Sequence, residues 1–219
     1  MIIAIDGLSA SGKSSTAKLL AEKIKFVHFS TGKMYRALTA YLIDKDLLGN
    51  FPDKVLELID TIDISVKGQN LNNIYINGIM YTEKCYSSDV TKRVSEVSAL
   101  SEIRTKMVYI QRKLSNGNNL VCEGRDIGTI VFPDAEFKFF FDADTDIRAK
   151  RRFKELNRNQ IQASLIDIKN KLIKRDYIDI NRQESPLVKA DDSIVVDTTN
   201  MTLQEQVEFI YNKIKLKIG

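Results

Sequence analysis

Residues 7–14 read Gly-Leu-Ser-Ala-Ser-Gly-Lys-Ser, and this octapeptide constrains the fold of the chain more than any other feature. It fills every fixed position of the phosphate-loop pattern G-x-x-x-x-G-K-S. An apolar run at 2–5 precedes it, and residues 15–25 carry apolar side chains at helical spacing. The octapeptide is therefore predicted to lie between a buried strand and a helix, where backbone N–H groups can surround the phosphates of a nucleotide.

The loop predicts a nucleotide donor site and a site for Mg²⁺. Lys13 is expected to reach the β and γ phosphates, and the hydroxyl of Ser14 can ligate Mg²⁺. Glu123 is a second candidate for the metal, because a carboxylate at the end of a strand beside such a loop often orients Mg²⁺ through water. The residues expected to bind the nucleotide are Gly7, Leu8, Ser9, Ala10, Ser11, Gly12, Lys13, Ser14 and Ser15.

Apolar runs and helical patterns alternate along the chain, which predicts a parallel sheet covered by helices on both faces. Strands are predicted at 2–5, 26–29, 119–122, 137–141 and 194–196, and further helices at 31–48, 90–115, 145–157, 161–181 and 202–217. Residues 60–85 break this rhythm, because they alternate in polarity around Asn77-Gly78. That dipeptide is a strong hairpin signal, so this region is predicted to be a small antiparallel insertion.

The composition sets only broad limits on the partners and the cellular location of the protein. The chain has 219 residues, with 33 Lys and Arg against 29 Asp and Glu, and a formal net charge of +4. A surplus this small does not by itself indicate a nucleic acid or a membrane as partner. No apolar run approaches the length of a membrane span, and a phosphate loop that begins at residue 7 leaves no room for a signal peptide. We therefore expect a cytoplasmic protein.

Polar residues follow two of the predicted strands. Thr31, Tyr35 and Arg36 follow the second strand and can face one cleft, although a helix N-cap and a core tyrosine explain Thr31 and Tyr35 equally well. Arg125 and Asp126 leave the third strand and can place a guanidinium and a carboxylate in the same cleft. A turn that closes a surface ion pair is the alternative for this second group.

Arg148, Arg151 and Arg152 share one face of a predicted helix. A ligand with several negative charges would relieve the repulsion between these guanidinium groups, and a solvated basic face is the alternative. The wider segment 148–175 holds ten basic residues, which also fits a surface that meets polyphosphate.

Arg175, Asp179 and Arg182 are spaced by four and three residues, so they share a helix face as well. Spacing alone favours a simple ion pair between Arg175 and Asp179 over a functional site. Such a pair contributes only roughly a few tenths of a kcal/mol to helix stability.

The motifs taken together resemble those of the bacterial-type cytidylate kinases, and the resemblance covers essentially the whole chain. It rests on the phosphate loop, on residues 30–36, on residues 148–152, and on Arg175-Asp176 with Asp179 and Arg182. The run Gly-Arg-Asp-Ile-Gly-Thr-Ile-Val-Phe-Pro-Asp-Ala at 124–135 is the most specific part. The phosphate loop alone is shared by many families.

The resemblance implies an α/β fold: a P-loop three-layer α/β/α architecture with a five-stranded parallel sheet, a small antiparallel β insertion and a helical lid. It implies a single kinase domain over residues 1–219. The core would comprise residues 1–59, 90–147 and 183–219. The β insertion, in the monophosphate-binding region, would comprise residues 60–89, and the arginine-rich lid region would comprise residues 148–182.

The resemblance also implies the substrate and most of the substrate-binding residues. Cytosine would be held by Ser95, Arg104 and Asp126, the acceptor phosphate by Arg36, Arg125 and Arg182, and the ribose by Arg175 and Asp179, with Thr31 and Tyr35 lining the acceptor site. The chain departs from the family at Glu123, where Asp is usual, and at Leu8, where Pro is usual. Residues 85–90 match the family only weakly.

The implied reaction is transfer of the γ-phosphoryl group of ATP, with Mg²⁺, to CMP or dCMP. Because the acceptor oxygen is already anionic, positioning and electrostatic stabilisation are expected to carry catalysis rather than a strong general base. The expected catalytic residues are Lys13, Arg125, Arg148 and Arg152. We expect a monomer, since no long apolar stripe is left over for an interface, and no nucleic-acid or membrane partner.

Other functions stay open at this point. The acceptor could be UMP or a small metabolite such as shikimate, whereas AMP is disfavoured because the run Asp-Gly-Phe-Pro-Arg is absent. A GTP switch would need an Asn-Lys-x-Asp motif, which the chain lacks. A nucleic-acid-binding ATPase is motivated by the basic segment 148–175, and it predicts ATP hydrolysis that a polymer stimulates.

Overall fold

A computed structural model describes residues 1–49, 51–68, 71–158 and 162–218 of the chain. The strands are β1 (Ile2–Gly7), β2 (Val27–Ser30), β3 (Ile64–Lys67), β4 (Asn73–Ile76), β5 (Ile79–Met80), β6 (Leu120–Gly124), β7 (Phe137–Asp142) and β8 (Ile194–Asp197). The helices are α1 (Lys13–Ile24), α2 (Thr31–Asp44), α3 (Asp53–Leu58), α4 (Ser88–Val97), α5 (Ser101–Leu114), α6 (Thr145–Arg158), α7 (Leu165–Asn181) and α8 (Leu203–Ile218). A single π-helical turn spans Ile127–Val131.

Five strands form a parallel sheet in the order β2-β6-β1-β7-β8. Side chains alternate across this sheet, as the period of two in a strand requires. In β1, Ile3 and Ile5 face the layer of α1 and α8, whereas Ala4 faces the layer of α2 and α5. Both layers are apolar, which explains why the strands read as nearly continuous hydrophobic runs. The predicted α/β class and all five predicted core strands are confirmed.

The remaining strands form a small antiparallel sheet, β3-β4-β5, on the side of α2. Asn77 and Gly78 join β4 to β5, and both have positive φ, at 48° and 78°. Two consecutive positive φ angles are typical of the tight turn that matches the twist of a hairpin. The predicted hairpin is therefore confirmed. Gln69 and Asn70, in the predicted 60–89 insertion, lie outside the described residues, as do residues 159–161 of the predicted lid.

Three helix predictions need correction. The helix predicted at 90–115 is two helices, because the chain leaves helical geometry after Val97 and α5 begins only at Ser101. The break leaves the Ser98 carbonyl free to accept a hydrogen bond from the Arg104 guanidinium at 3.1 Å. The helix predicted at 31–48 ends at Asp44, since Asp46 takes a positive φ of 52°. Helix α3 was not predicted.

Helices α6 and α7 contact one another beyond the carboxyl end of the sheet, and we call them the α6–α7 pair. Ala149 of α6 and Ile168 and Leu172 of α7 form a small apolar cluster that also contacts Ala10 of the phosphate loop. This contact sets the pair against the loop.

The outer face of α7 is more apolar than its sequence suggested. Ile166, Ile173, Tyr177 and Ile180 are exposed, between 45% and 73%, and their spacing places them along one side of the helix. The expectation of a monomer was based on the absence of such a stripe, so that argument no longer supports it. Among the described residues, no helix combines the length and apolar character that a bilayer crossing needs.

Candidate active site

The carboxyl ends of the five parallel strands share one edge of the sheet, where ligands of open α/β folds usually bind. The phosphate loop follows β1 at the centre of the sheet. Helix α2 follows β2 directly, and the segment after β6 carries Arg125 and Asp126. Helix α7 adds Arg175, Asp179 and Arg182 from across the cleft, since Asp179 pairs with Arg125. Residues far apart in the chain thus meet at one place.

The phosphate loop is fixed from behind by residues after β8. Gly12 has a φ of 100°, and a Cβ atom there would lie only 2.6 Å from the side-chain oxygen of Gln206. Gln206 accepts a hydrogen bond from Thr16 on α1 at 2.7 Å. The Thr198 hydroxyl donates to the Ser11 carbonyl at 2.7 Å. Glycine is thus required at position 12 both for its backbone angle and for the space that Gln206 fills.

Lys13 is buried, and its Nζ donates to the Leu8 carbonyl at 2.8 Å. Burial, and then the nearby charges of Arg125 and Arg175, lower the pKa of Lys13 to about 7. Glu123 has the opposite effect on this pKa but does not outweigh them. The loop lysine therefore lies in an environment that disfavours its positive charge unless an anion is close to it.

Ser9 lies at a junction of three neighbouring side chains. Its hydroxyl accepts a hydrogen bond from Arg125 at 2.7 Å, and its carbonyl accepts one from Arg148 at 3.1 Å. Its backbone N–H donates to Asp176 at 3.1 Å. The loop is thereby connected to the segment after β6 and to both helices of the α6–α7 pair.

Glu123 ends β6 and is buried beside the phosphate loop. Its carboxylate accepts a hydrogen bond from the Ser30 hydroxyl. Burial alone would raise the pKa of Glu123, but Lys13, the Ser30 hydroxyl, His28 and the Ser14 hydroxyl together outweigh burial and lower it. The charged form is thus favoured, and a charged carboxylate beside a serine hydroxyl is an oxygen donor set that suits Mg²⁺. No cluster of three or more acidic, His or Cys side chains suited to a metal occurs among the described residues.

Thr31 and Gly124 approach closely where α2 begins. The buried Thr31 hydroxyl donates to the Glu123 carbonyl at 3.1 Å. A Cβ atom on Gly124 would lie 2.5 Å from that hydroxyl oxygen, and 2.7 Å from a side-chain carbon of Ile127. A glycine after Glu123 therefore lets the β6 loop pass directly beneath the start of α2.

Arg36 lies in a buried position on α2, in contact with the residues that follow the small sheet. It donates hydrogen bonds to the Cys85 carbonyl and the Thr91 hydroxyl, both at 3.1 Å. Its guanidinium carbon lies 5.2 Å from the centre of the Tyr86 ring. Burial, and also the charges of Arg152 and Arg125, lower the pKa of Arg36.

Two of the three residues predicted to bind the base, Arg104 and Asp126, lie together beside Tyr35, which was predicted to line the acceptor site. Asp126 pairs with Arg104 in the interior, and the Arg104 guanidinium carbon lies 5.3 Å from the centre of the Tyr35 ring. Burial raises the pKa of Tyr35 to about 12, although the Gln111 side chain beside its hydroxyl opposes the shift. Ser95, the third predicted base contact, is half-buried on α4, and its hydroxyl makes no hydrogen bond within the described part of the chain.

Asp179 is the centre of an arginine cluster on α7. It pairs with Arg125 at 2.8 Å, and lies 4.0 Å from Arg175 and 3.9 Å from Arg182. Burial would raise the pKa of Asp179, but the arginines lower it. Loss of solvent, and then the charge of Arg125, lower the pKa of Arg175 to about 9. One carboxylate therefore serves three guanidinium groups, which leaves the cluster with an excess of positive charge.

The three arginines of α6 have different surroundings, although they share a helix face. Arg148 is buried and bonded to Ser9 and Asp176. Arg151 donates to the Thr198 hydroxyl at 3.0 Å, behind the phosphate loop. Arg152 is about a quarter exposed, and within the described residues it pairs with Glu155 of its own helix alone, at 2.7 Å.

Some residues that hold the site together were not singled out from the sequence. Asp6 accepts hydrogen bonds from the backbone N–H groups of Ile127 and Gly128 at 2.8 and 2.7 Å. Burial raises the pKa of Asp6 to about 6, although these two hydrogen bonds oppose the shift. An aspartate that ends an otherwise apolar strand was the available signal. Thr198 and Gln206 had no comparable signal, because each acts through a contact with a distant segment.

Comparison with known proteins gives a consistent result. The family model described as cytidylate kinase matches residues 3–216. A protein of Fusobacterium nucleatum named cytidylate kinase is 39% identical over 217 residues, which cover 98% of this chain and 97% of that protein. A protein of Cytophaga hutchinsonii with the same name is 43% identical over 215 residues, covering 97% of this chain and 92% of that protein.

A solved structure supports the fold only. The crystal structure of TT1252 from Thermus thermophilus aligns with a TM-score of 0.50 and 15% sequence identity, covering the whole of this chain and 98% of that one. At this level of identity the match indicates a shared architecture and no more.

Proposed function

The chain belongs to the cytidylate kinase family, and from that premise we propose that it transfers the γ-phosphoryl group of ATP to CMP or dCMP, giving ADP and CDP or dCDP. The donor nucleotide would bind at the phosphate loop and the acceptor between α2, the segment after β6 and α7. Both nucleotides carry phosphates, so the site must hold two polyanions side by side.

The observation that carries this proposal is the excess of positive charge between the two sites. Lys13, Arg36 and Arg175 all have lowered pKa values, and nearby cations contribute to each shift. Such mutual repulsion in a partly buried place is relieved by an anion that contacts several of the groups at once. The phosphates of the two nucleotides would supply that negative charge.

No residue is needed as a strong base, because the attacking phosphate oxygen of the acceptor is already anionic. The task of the protein is to align that oxygen with the γ-phosphoryl group and to stabilise the charge that spreads over it. We assign the donor phosphates to Lys13 and the loop amides, and the acceptor phosphate to Arg36, Arg125 and Arg182. Arg175 and Asp179 are assigned to the ribose.

Mg²⁺ is proposed as the metal, held by Ser14 and by Glu123, which favours its charged form for the reasons given above. Few protein ligands are needed, because Mg²⁺ at such sites keeps waters and phosphate oxygens as its other ligands. When bound, the ion would neutralise charge on the β and γ phosphates. The glutamate side chain is one methylene longer than the aspartate usual in the family, so Glu123 would hold the metal either directly or through water.

Base selection is proposed to depend on Asp126, with Arg104 and Ser95. Cytosine presents an amino group beside two acceptor atoms, so a carboxylate can accept from the amino group while donors meet the acceptors. Uracil presents a carbonyl in place of the amino group, and that carbonyl would face the carboxylate. We therefore expect CMP to be preferred over UMP. Thr31 and Tyr35 would line the same pocket.

Among the predicted lid arginines, the surroundings support different roles. Four of the five N–H donors of Arg148 are already engaged, by Ala143, Ser9, Asp176 and Thr145, so it has little capacity left for a phosphate. Among the described residues, Arg152 pairs with the exposed Glu155 alone, and its charge lowers the pKa of Arg36. We propose that Arg152 contacts the transferring phosphoryl group and that Arg148 fixes the α6–α7 pair on the loop. The division into core, β insertion and lid, a monomeric state and a cytoplasmic location stay proposals of the same kind.

The experiment is a coupled assay of ADP release with Mg-ATP and each of CMP, dCMP, UMP, AMP, GMP and shikimate. We expect rapid turnover with CMP and dCMP and little with the others. Turnover with UMP equal to that with CMP would overturn the role of Asp126 but keep the phosphoryl transfer. Release of ADP without any acceptor, stimulated by DNA or RNA, would replace the proposal with a nucleic-acid-dependent ATPase.

A further inference from the structure

Ser9 of the phosphate loop is held by both helices of the α6–α7 pair at the same time. One carboxylate oxygen of Asp176, on α7, accepts the Ser9 backbone N–H at 3.1 Å. The other oxygen of the same carboxylate pairs with Arg148, on α6. Arg148 in turn donates to the Ser9 carbonyl at 3.1 Å, which closes a ring of three residues. Asp176 and Arg148 are 6% and 4% exposed, so this ring is shielded from solvent.

We propose that Asp176 is a positioning residue for phosphoryl transfer, which fixes the Ser9 peptide and the Arg148 guanidinium in one orientation toward the bound phosphates. This inference rests on the proposed function. Asp176 is not expected to touch a substrate, because both of its carboxylate oxygens are used by the protein. It would act through the loop and through Arg148.

The geometry of Arg148 supports this role. Its Nε donates to the Ala143 carbonyl at 2.9 Å, and a terminal nitrogen donates to the Thr145 hydroxyl at 3.0 Å. A guanidinium is planar, so these bonds on one side and Asp176 on the other fix the plane of the group. Asp176 is also the only carboxylate paired with Arg148 in the described part of the chain. Without Asp176, the buried Arg148 guanidinium would have no fixed counter-charge and could pair with a different anion.

The effect of Asp176 reaches the acceptor side through the same serine. The Ser9 hydroxyl accepts a hydrogen bond from Arg125, which pairs with Asp179 three residues beyond Asp176 on α7. A shift of the Ser9 peptide would therefore move the acceptor arginine relative to the donor phosphates. Alignment of donor and acceptor matters in the transition state, whereas CMP can still bind in the ground state through Arg36 and Arg182. Loss of Asp176 should thus lower kcat more than it raises the KM for CMP.

The test is a double-mutant cycle with Asp176→Asn, Arg148→Met and the double variant, in which kcat and both KM values are measured. We expect Asp176→Asn to lower kcat by about 10²-fold, the typical cost of a small misplacement at a reacting centre. The KM for CMP should change by less than about threefold, since the ground-state contacts are kept. In the Arg148→Met background, Asp176→Asn should lower kcat little further, because the ring is already broken.

The matched control is Asp192→Asn, which removes an exposed carboxylate that pairs with Lys138 at 2.7 Å. It should leave kcat and both KM values unchanged. Thermal unfolding is recorded for every variant. If Asp176→Asn does not fold, Asp176→Glu is measured in its place, because it keeps a negative charge beside Arg148 but displaces the carboxylate oxygens. We expect kcat to fall with little change in the KM for CMP, and a wild-type kcat would overturn the proposal.

The proposal is overturned if folded Asp176→Asn keeps the wild-type kcat, if the KM for CMP rises as much as kcat falls, or if the substitution costs as much in the Arg148→Met background as in the wild type. Failure of the proposed function looks different. In that case the wild-type protein and Asp192→Asn would themselves release no ADP in response to CMP.

Discussion

The donor loop and the acceptor pocket share one edge of the sheet, but the protein pairs their polar groups to very different degrees. In the donor loop, the Lys13 ammonium and the hydroxyl and peptide of Ser9 have hydrogen-bond partners from the fold. In the proposed acceptor pocket, Arg104 Nε and a terminal nitrogen of Arg182 are buried without a hydrogen-bond partner among the described residues, although that nitrogen of Arg182 lies 3.9 Å from Asp126. The fold supplies the hydrogen-bond partners of the loop, whereas we propose that a bound ligand supplies those missing in the pocket.

The two regions are therefore expected to affect the stability of the fold in different ways. A buried donor without a partner costs roughly 1–3 kcal/mol, so the acceptor pocket should weaken the fold until a ligand pairs its donors. The contacts behind the donor loop should instead stabilise the fold. Substitutions in the two regions are therefore expected to move the free energy of unfolding in opposite directions, which gives the comparison a direct test.

The largest effect is expected from Arg182→Met in the acceptor pocket. Loss of an arginine that binds a reacting phosphate should lower kcat/KM for CMP by about 10³-fold. The melting temperature should stay level or rise, because Asp126 keeps Arg104 and Asp179 keeps Arg125 as partners. Steady-state kinetics and calorimetry measure both. Lys174→Met, which removes an exposed charge from the same helix, should change neither. A clear fall in the melting temperature of the Arg182 variant would contradict the claim that the acceptor pocket weakens the fold.

A smaller effect, on selectivity, is expected from Asp126→Asn. The amide can donate to the uracil carbonyl, so the preference for CMP over UMP should shrink by about tenfold or more, which corresponds to one lost base-specific contact. Competition between CMP and UMP in one reaction measures the ratio directly. An unchanged ratio would remove Asp126 from base selection and leave its pairing with Arg104 as a structural contact.

On the donor side, Thr198→Val should affect stability more than chemistry. The hydroxyl donates to the Ser11 carbonyl and accepts from Arg151, so its loss should lower the free energy of unfolding by about 1–3 kcal/mol. The preference for CMP over UMP should be unaffected. Thr105→Val is the control, because the Thr105 hydroxyl makes only an exposed bond within α5. Denaturant unfolding compares the two, and equal losses would contradict the assignment of Thr198 to loop support.

The smallest expected signal is a proton taken up with the donor nucleotide. Burial, and then Arg125, lower the pKa of Lys13 to about 7, so at pH 8 most of this lysine is neutral. Polyphosphate close to Nζ should raise the pKa again, and up to one proton would be taken up per nucleotide bound at that pH. At pH 6 the lysine is already charged, so its contribution should vanish. Calorimetry of Mg-ATP binding in buffers of different ionisation enthalpy counts the protons, and Lys13→Met should abolish the difference between the two pH values.

The sequence was most informative where a function depends on a short local run. The phosphate loop, the run 124–135 and the Asn-Gly hairpin each occupy neighbouring residues, so pattern and chemistry could be read together, and the α/β fold followed from them. Boundaries were less accurate. The break between α4 and α5 lets the Ser98 carbonyl accept a hydrogen bond from Arg104, and no local pattern in the sequence indicated this break.

The supporting contacts of the site could not be predicted for a related reason. Ser9 and Asp176 are separated by 167 residues, and Asp6 and Gly128 by 122. Asp6 meets Gly128 because β1 and β6 end at one edge of the sheet, whereas Ser9 meets Asp176 because the α6–α7 pair packs against the phosphate loop. The roles given to Arg36, Arg104 and Arg182 came from motifs, and they stay predictions until the variants are measured.

The hydrogen bonds of Ser9 bear on how related proteins can be found from their sequences. The pattern G-x-x-x-x-G-K-S treats its position as arbitrary, yet in this fold the hydroxyl accepts from Arg125 and the peptide joins two helices. An alanine there would leave a guanidinium N–H of Arg125 without its acceptor. The variable position in the pattern is thus informative. A sequence search can require a hydroxyl side chain at this position and Gly-Arg-Asp after a later strand. Such a search should separate chains that share this acceptor site from the many chains that share only the phosphate loop.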